Sequence, residues 1–511
     1  MTRLNRFNGV GRLSGARWVL AAVAWLALGG CSHQGGHVSS REGEPPAIDR
    51  VDWGRSVFRF ETFRNERFWS DTLGLAEGFA RREVTPNGLL AVGIQLDSDK
   101  LPSDFRRSDV GIGPYTDPRA TRRLIEANAV IGLVAREDRI GVTCALCHSR
   151  ADDRFADGVG RRLDGLPNTD LRVGQLIAWG ERSRSYLPFL NVFGAGRGPQ
   201  VGLPAMAGFD MADAVERAVD DALLGWPPGQ ADATPDGVGN PTEIPAVFNL
   251  IDVGPYDWDG LFEQAGDAHN YFFTVVLDPT TLATPGGRSF LSEAPLPLGD
   301  VLVGAYGALL QAIDPTMERP RLAADRVGGF AFLRSSPRMG FRVNREDSDA
   351  MSAYLARVLP PPPSPIDQER VAAGRRVFRE AGCNDCHLES RETPGMIVPL
   401  SDLLPGYNPK RIEPVGTPDG ELLDDPRTGY DDRVMVMSAA WRGGAIGYKV
   451  PQLVGIGLTA PYLHDGSVPT LDALLSPDRG AFSPHPFYLR DPDERSGLAA
   501  FLAVWDGRTY P

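Results

Sequence analysis

Cys144-Ala145-Leu146-Cys147-His148 and Cys383-Asn384-Asp385-Cys386-His387 constrain this chain more than any other feature in it. Two thiols at this spacing can form thioethers to the two vinyl groups of one haem, and the histidine that follows is then held beneath the iron. The pair of motifs therefore predicts two covalently bound haems c, with His148 and His387 as proximal ligands. C-x-x-C alone also serves disulfide redox pairs and half-sites for zinc. A histidine directly behind both pairs argues against each of those uses. The chain has five cysteines, and only Cys31 lies outside the motifs.

Cys31 has its own context. Arg3, Arg6, Arg12 and Arg17 precede an apolar run from Trp18 to Leu28, a pattern of signal-peptide length and too short for a comfortable membrane span. The run ends Leu28-Gly29-Gly30-Cys31, which resembles a bacterial lipobox. That resemblance implies removal of residues 1–30 and diacylation of Cys31, enough lipid for stable anchoring. Ser32, rather than an aspartate, follows and points to the outer membrane over the inner one. The expected location is the periplasmic side of a bacterial envelope, where haem c is attached. Residues 31–50 read as a flexible tether in which His33 and His37 are solvated. The net charge is −13, and loss of the arginine-rich leader makes it more negative. Such a chain has no electrostatic case for nucleic acid. Only Lys100, Lys410 and Lys449 are lysines, so a redox partner protein, of unknown identity, would not dock on a lysine ring.

The 511 residues exceed one domain. Ile366 to Ala381 has an apolar face at helical spacing, with Asp367 as N-cap and Gly382 as C-cap signal, and leads into the second motif. Asp491-Pro492-Asp493-Glu494 starts a helix carrying Leu498, Phe501, Leu502 and Trp505. These two segments resemble the first and last helices of a cytochrome c fold, which cross. Asp347 to Leu359 is the matching closing helix of an earlier domain, and Arg122 to Ala135 the helix ahead of its haem motif. The prolines of 360–365 form a stiff linker. The expected fold is mainly α, with two cytochrome c-type domains at 51–359 and 366–511, the N-terminal one enlarged by long loops. No internal repeat beyond the two haem motifs is expected, and no coiled coil.

Function turns on what faces each proximal histidine across the iron, since two strong ligands give electron transfer and an open face gives reactivity. Only His269, His464 and His485 remain as histidine candidates. His464 sits in Thr459-Ala460-Pro461-Tyr462-Leu463-His464-Asp465-Gly466-Ser467, behind Val450-Pro451-Gln452-Leu453. This segment resembles the bacterial di-haem cytochrome c peroxidases and the related rubber-oxygenase-like di-haem cytochromes. The peroxidases place a methionine ligand at the position of Asp478, and residues 438–511 contain no methionine. The oxygenase-like relatives use the histidine of the segment itself, which implies a His387/His464 pair. Otherwise His464 is a turn residue, and Met396, Met435 or Met437 ligates.

For the first haem, His269 is a ligand, a distal acid or base, or a helix cap. Tyr256-Asp257-Trp258-Asp259-Gly260 resembles the Trp-Asp-Gly region that lies near the reactive haem in the oxygenase-like family. Trp258, Phe272 and Phe273 then line an apolar pocket, or else are plain aromatic core. Glu243 is the candidate for the glutamate that the peroxidases use at an open haem. Asp232, Asp236 and Asn240 are a candidate Ca2+ loop, without EF-hand spacing, or a solvated turn. The expected function is haem-based electron transfer, with peroxide reduction or oxygen activation at the N-terminal haem. The alternative is an electron-carrier lipoprotein with both irons six-coordinate.

Overall fold

Capping chemistry places the helices that frame both haem motifs. The computed structural model describes residues 49–189, 212–233, 241–251, 253–287, 299–317, 340–363, 365, 367–387, 396–403, 421–423, 434–436, 447–479, 485 and 487–506. Helix α1 (Arg50–Phe60) starts where the Asp49 side chain accepts from Val51 N. Helix α2 (Pro118–Glu126) and the strands β1 (Leu133–Arg136) and β2 (Arg139–Val142) precede the first motif. Strand β3 (Ser149–Ala151) leaves it and pairs antiparallel with β4 (Arg162–Asp164). There follow α3 (Ala212–Leu224), the antiparallel pair β5 (Gln230–Ala231) and β6 (Thr242–Glu243), and α4 (Ala265–Tyr271). Next come α5 (Gly299–Ile313) and α6 (Arg345–Leu355), the latter capped by Asn344 accepting from Asp347 N. Helix α7 (Gln368–Glu380) is capped by Asp367 and stops before Gly382, whose φ of 76° only glycine adopts without cost. Strands β7 (Ile397–Pro399) and β8 (Gly447–Lys449) pair antiparallel. Helix α8 (Leu471–Leu474) and helix α9 (Pro492–Ala503), capped by Asp491, end the described chain. The described sheets are all two-stranded, so the protein is mainly α.

Two helix crossings carry the frame, α1 on α6 and α7 on α9. Both use a glycine to bring backbones together. A Cβ at Gly54 would lie 1.9 Å from Ala350 O, and one at Gly374 would lie 1.9 Å from Gly497 O. Phe378 packs edge-on against both Phe501 and Trp505, with ring centroids 5.5 and 5.4 Å apart. Each such pair contributes about 0.5–1.5 kcal/mol beyond area burial.

The partner of α6 is therefore α1, not the expected helix over 122–135. Helix α2 ends at Glu126, Asn128 turns with φ 55°, and β1 and β2 then carry the chain to Cys144. Close packing accounts for the change: a Cβ on Gly132 would lie 2.2 Å from the backbone of Leu146, so the hairpin lies directly on the haem motif.

Two hydrophobic cores organise the protein. One runs from Phe58, Met351 and Leu355 on the first crossing to Val371, Phe378, Phe501 and Trp505 on the second. It does not part at the proline run: Val358, Phe248 and Val454 belong to it together. The other core is built between Phe68 and Leu310 and takes in Leu146 of the first haem motif. Among the described residues no helix is long and apolar enough to cross a membrane.

Contrary to expectation, the chain repeats itself outside the haem motifs. Residues 243–262 and 449–468 align without a gap, and Pro245, Pro255, Tyr256, Asp259 and Gly260 recur as Pro451, Pro461, Tyr462, Asp465 and Gly466. The backbone repeats as well. Asp257 and Leu463 have φ of 75° and 70°, and Gly260 and Gly466 have 71° and 64°. Tyr256 bridges Phe262, and Tyr462 bridges Val468. The repeat is hard to see in sequence because only five of twenty positions are identical. Conformation at the two turns, not side-chain chemistry, is what both copies share.

Candidate functional site

Each C-x-x-C-H motif is held by the same device. Ala145 to His148 form one helical turn, and His148 Nδ1 lies 2.9 Å from Pro245 O. In the second motif Cys383 to Asp385 form a 3-10 turn, and His387 Nδ1 lies 3.1 Å from Pro451 O. A carbonyl can only accept, so each Nδ1 carries the proton and each Nε2 keeps a lone pair, the form a metal binds. Burial reinforces this by pushing His148 down to about 4 and lowering His387. The four cysteines of the motifs are not in disulfides. Burial pushes Cys144 and Cys147 up to about 12 and Cys383 up to about 11. Two thiols and one imidazole nitrogen per motif are the donor set of one haem c, so these residues fit the group.

Behind the first motif, Asp164 is a buried anchor. It accepts from Arg59 Nε at 2.6 Å, Ser149 Oγ at 2.8 Å and Tyr354 OH at 2.5 Å. These donors come from α1, β3 and α6, so one carboxylate ties the helix crossing to the residue after His148. Met351 Sδ lies 3.9 Å from Cys144 Sγ, beside an attachment sulfur.

The structure gathers Trp258, His464 and Glu243 in one seam. The Trp258 and His464 rings stack at 4.8 Å and 23°, with Tyr448 5.5 Å from the first and 5.1 Å from the second. Trp258 and His464 are equivalent positions of the repeat, so each turn offers its ring to the other. The backbone exchange is reciprocal: Glu243 N donates to His464 O at 2.8 Å, and Lys449 N donates to Trp258 O at 2.8 Å. Glu243 and Lys449 are also equivalent. The glycines complete the fit, since a Cβ on Gly260 would meet Ile397 Cδ1 at 2.4 Å and one on Gly466 would meet Gln230 Nε2 at 2.8 Å. Pro245 and Pro451, which hold the two proximal histidines, lie two residues beyond Glu243 and Lys449.

Charge in the seam is muted by burial. Glu243 is pushed up to about 9, by burial first and then by Asp465. Lys449 is pushed down to about 8 by burial, opposed by Asp257, and its Nζ stands 5.8 Å over the Tyr256 ring. Burial also raises Asp257 and lowers His464.

The histidine whose ring approaches His387 is His485, with centroids 6.3 Å apart and planes inclined by 44°. His464 has Trp258 and Tyr448 as its ring neighbours instead. His269 lies on α4 with Nδ1 3.0 Å from Ser348 Oγ of α6, and burial pushes it down to about 4. Trp258, Phe272 and Phe273 have separate ring partners: Phe273 is 4.7 Å from Phe63 in the core, and Phe272, 37% exposed, lies against Phe262 and Tyr271. Asp232 is buried, not solvated, while Asp236 and Asn240 lie outside the described residues. So do Cys31 and Met437; of Met435 only the backbone is described.

Sequence reasoning passed over Tyr448, Lys449, Asp257 and the two proline carbonyls. The signal was the X-Pro step at one constant offset from each Tyr-x-x-Asp-Gly turn. Comparison with curated proteins gives no match. Residues 447–481, which carry Pro451 and the Pro461–Gly466 turn, match the model of the RoxA-like, cytochrome c-like family, and that match supports a haem-based electron-transfer cytochrome.

Proposed function

We propose that this chain is a di-haem c-type cytochrome. One haem is held by Cys144, Cys147 and His148, the other by Cys383, Cys386 and His387, in two cytochrome c-type halves spanning 51–359 and 366–511. The observation that carries the proposal is the duplicated fixing of both proximal imidazoles, each by a proline carbonyl on Nδ1. Haem supplies the reversible one-electron iron couple, and the protein's part is to bind, orient and tune it.

In the second half His485, rather than His464, would hold the iron together with His387, since the two rings stand 6.3 Å apart, centroid to centroid, far enough to admit one metal ion between them. His464 is instead half of an aromatic bridge with Trp258. Its carbonyl and that of Trp258 accept from Glu243 N and Lys449 N, each two residues ahead of a proline that holds a proximal histidine, and on this reading the stack is a packed link between the halves.

The first half, enlarged by the insertions that build the second core, is the reactive one in this proposal, taking peroxide or oxygen, while the second half relays. The carrier reading would close the first iron as well, with His269, whose Nδ1 is engaged by Ser348 Oγ, offering Nε2. Cys31 is proposed as the lipidated N-terminus on the periplasmic face of the outer membrane.

Pyridine haemochrome analysis should give two haems c per chain. Electron paramagnetic resonance of the ferric protein should show one high-spin and one low-spin iron. His485→Ala should convert the low-spin signal, and His464→Ala should not. Two low-spin irons in the unaltered protein would favour the carrier, and a single haem per chain would overturn the proposal.

A further inference from the structure

His485 sits in Ser483-Pro484-His485-Pro486-Phe487. Prolines on both sides remove two backbone N–H groups that could otherwise donate. One terminal nitrogen of the Arg479 guanidinium donates to His485 O and, at 3.2 Å, to Phe487 O. Arg479 is itself placed by the turn Pro477–Arg479, which directly follows α8, with its N–H donating to Ser476 O at 3.4 Å. The far end of the stretch is held separately. Leu489 N donates to Leu475 O at 2.9 Å, and Arg495 of α9 donates to Leu489 O and Arg490 O at 3.0 and 3.1 Å. Phe487 closes edge-on against the His485 ring at 5.7 Å.

We propose that Arg479 is the positioning residue that fixes His485 opposite His387; this rests on His485 being the distal ligand. A planar guanidinium can serve two carbonyls from one fixed plane, whereas an ammonium on a flexible stem loses more freedom to do the same. Loss of such a charge-assisted bond shifts a local equilibrium by about tenfold or more. The ligand would then swing off the iron more often, with no change in its chemistry.

The test uses the full haem-loaded protein and potassium cyanide as the probe, because cyanide can enter only when the distal ligand leaves. Binding at the His387 iron should be slow in the unaltered protein and at least about tenfold faster in Arg479→Gln. Arg479→Lys should recover part of the difference. Before cyanide is added, the spectrum of the His148 haem should be the same in the variants as in the unaltered protein and serves as the folding control. Arg479→Gln with unaltered cyanide kinetics, beside a fast His485→Ala, would overturn the role of Arg479 alone. Disturbance of both haems by Arg479→Gln would make it a general structural residue and overturn the role equally. A His485→Ala protein that keeps its low-spin signal and slow binding would bring down the ligand assignment itself.

Discussion

Replacing Glu243 by glutamine should stabilise the protein, and by more as the pH rises. The carboxyl, ordinarily near 4.5, is pushed up to about 9 by burial and by Asp465. Between those values the folded protein holds a proton that the unfolded chain has released. The stability this contributes is complete below about pH 4.5 and is lost as pH climbs toward about 9, at no more than about 1.4 kcal/mol per pH unit. From about pH 5 to about pH 8 the ceiling is roughly 4 kcal/mol, and residual solvent around the side chain brings it to about 2 kcal/mol. Glutamine keeps the shape and the hydrogen-bonding capacity and does not ionise. Urea unfolding followed by far-ultraviolet circular dichroism, at intervals from about pH 5 to about pH 9, measures the difference. The lowered histidines and Lys449 titrate in both proteins and cancel. The two stability curves should meet near pH 5 and diverge by about 2 kcal/mol at about pH 8. Parallel curves throughout would mean that Glu243 is ionised in the folded protein, and the argument from burial would be refuted.

The other predictions concern packing. Gly54→Ala and Gly374→Ala each place a Cβ 1.9 Å from a carbonyl oxygen; each should cost about 1–3 kcal/mol or more, and by similar amounts, in thermal unfolding. Asp164→Ala strands Arg59, Ser149 and Tyr354 together and should cost about 3–5 kcal/mol in denaturant unfolding, with Asp164→Asn milder. A double-mutant cycle on Trp258→Ala and His464→Ala should give a coupling of about 0.5–1.5 kcal/mol, and additivity would remove the stack as an energetic unit.

Much of the frame was legible in sequence because it depends on local chemistry. Asp367, Asp491 and Gly382 mark the ends of α7 and α9 where the caps lie. The closing helix before the prolines runs Arg345–Leu355, close to the expected span. The helix that crosses it was not legible, since α1 is separated from Cys144 by a hairpin and a second core, and no periodicity reports long-range pairing. The haem motifs were legible because covalent chemistry demands a fixed spacing. The placement of the remaining histidines was not: a family pattern drew attention to His464, while the ring that approaches His387 belongs to His485, one histidine among prolines. Glu243 and Trp258 were singled out as neighbours of one haem. Their common place is a seam that exists only when both turns are folded.

That seam has the form of an isologous contact, the kind two identical subunits make across a two-fold axis. True identical subunits must present the same group on both sides of the axis. Here the halves share one chain, so each can carry groups of its own. One side keeps an acid and a tryptophan where the other has a base and a histidine. The two ends of the seam are therefore chemically unequal, an inequality that no homodimer built on this contact could possess.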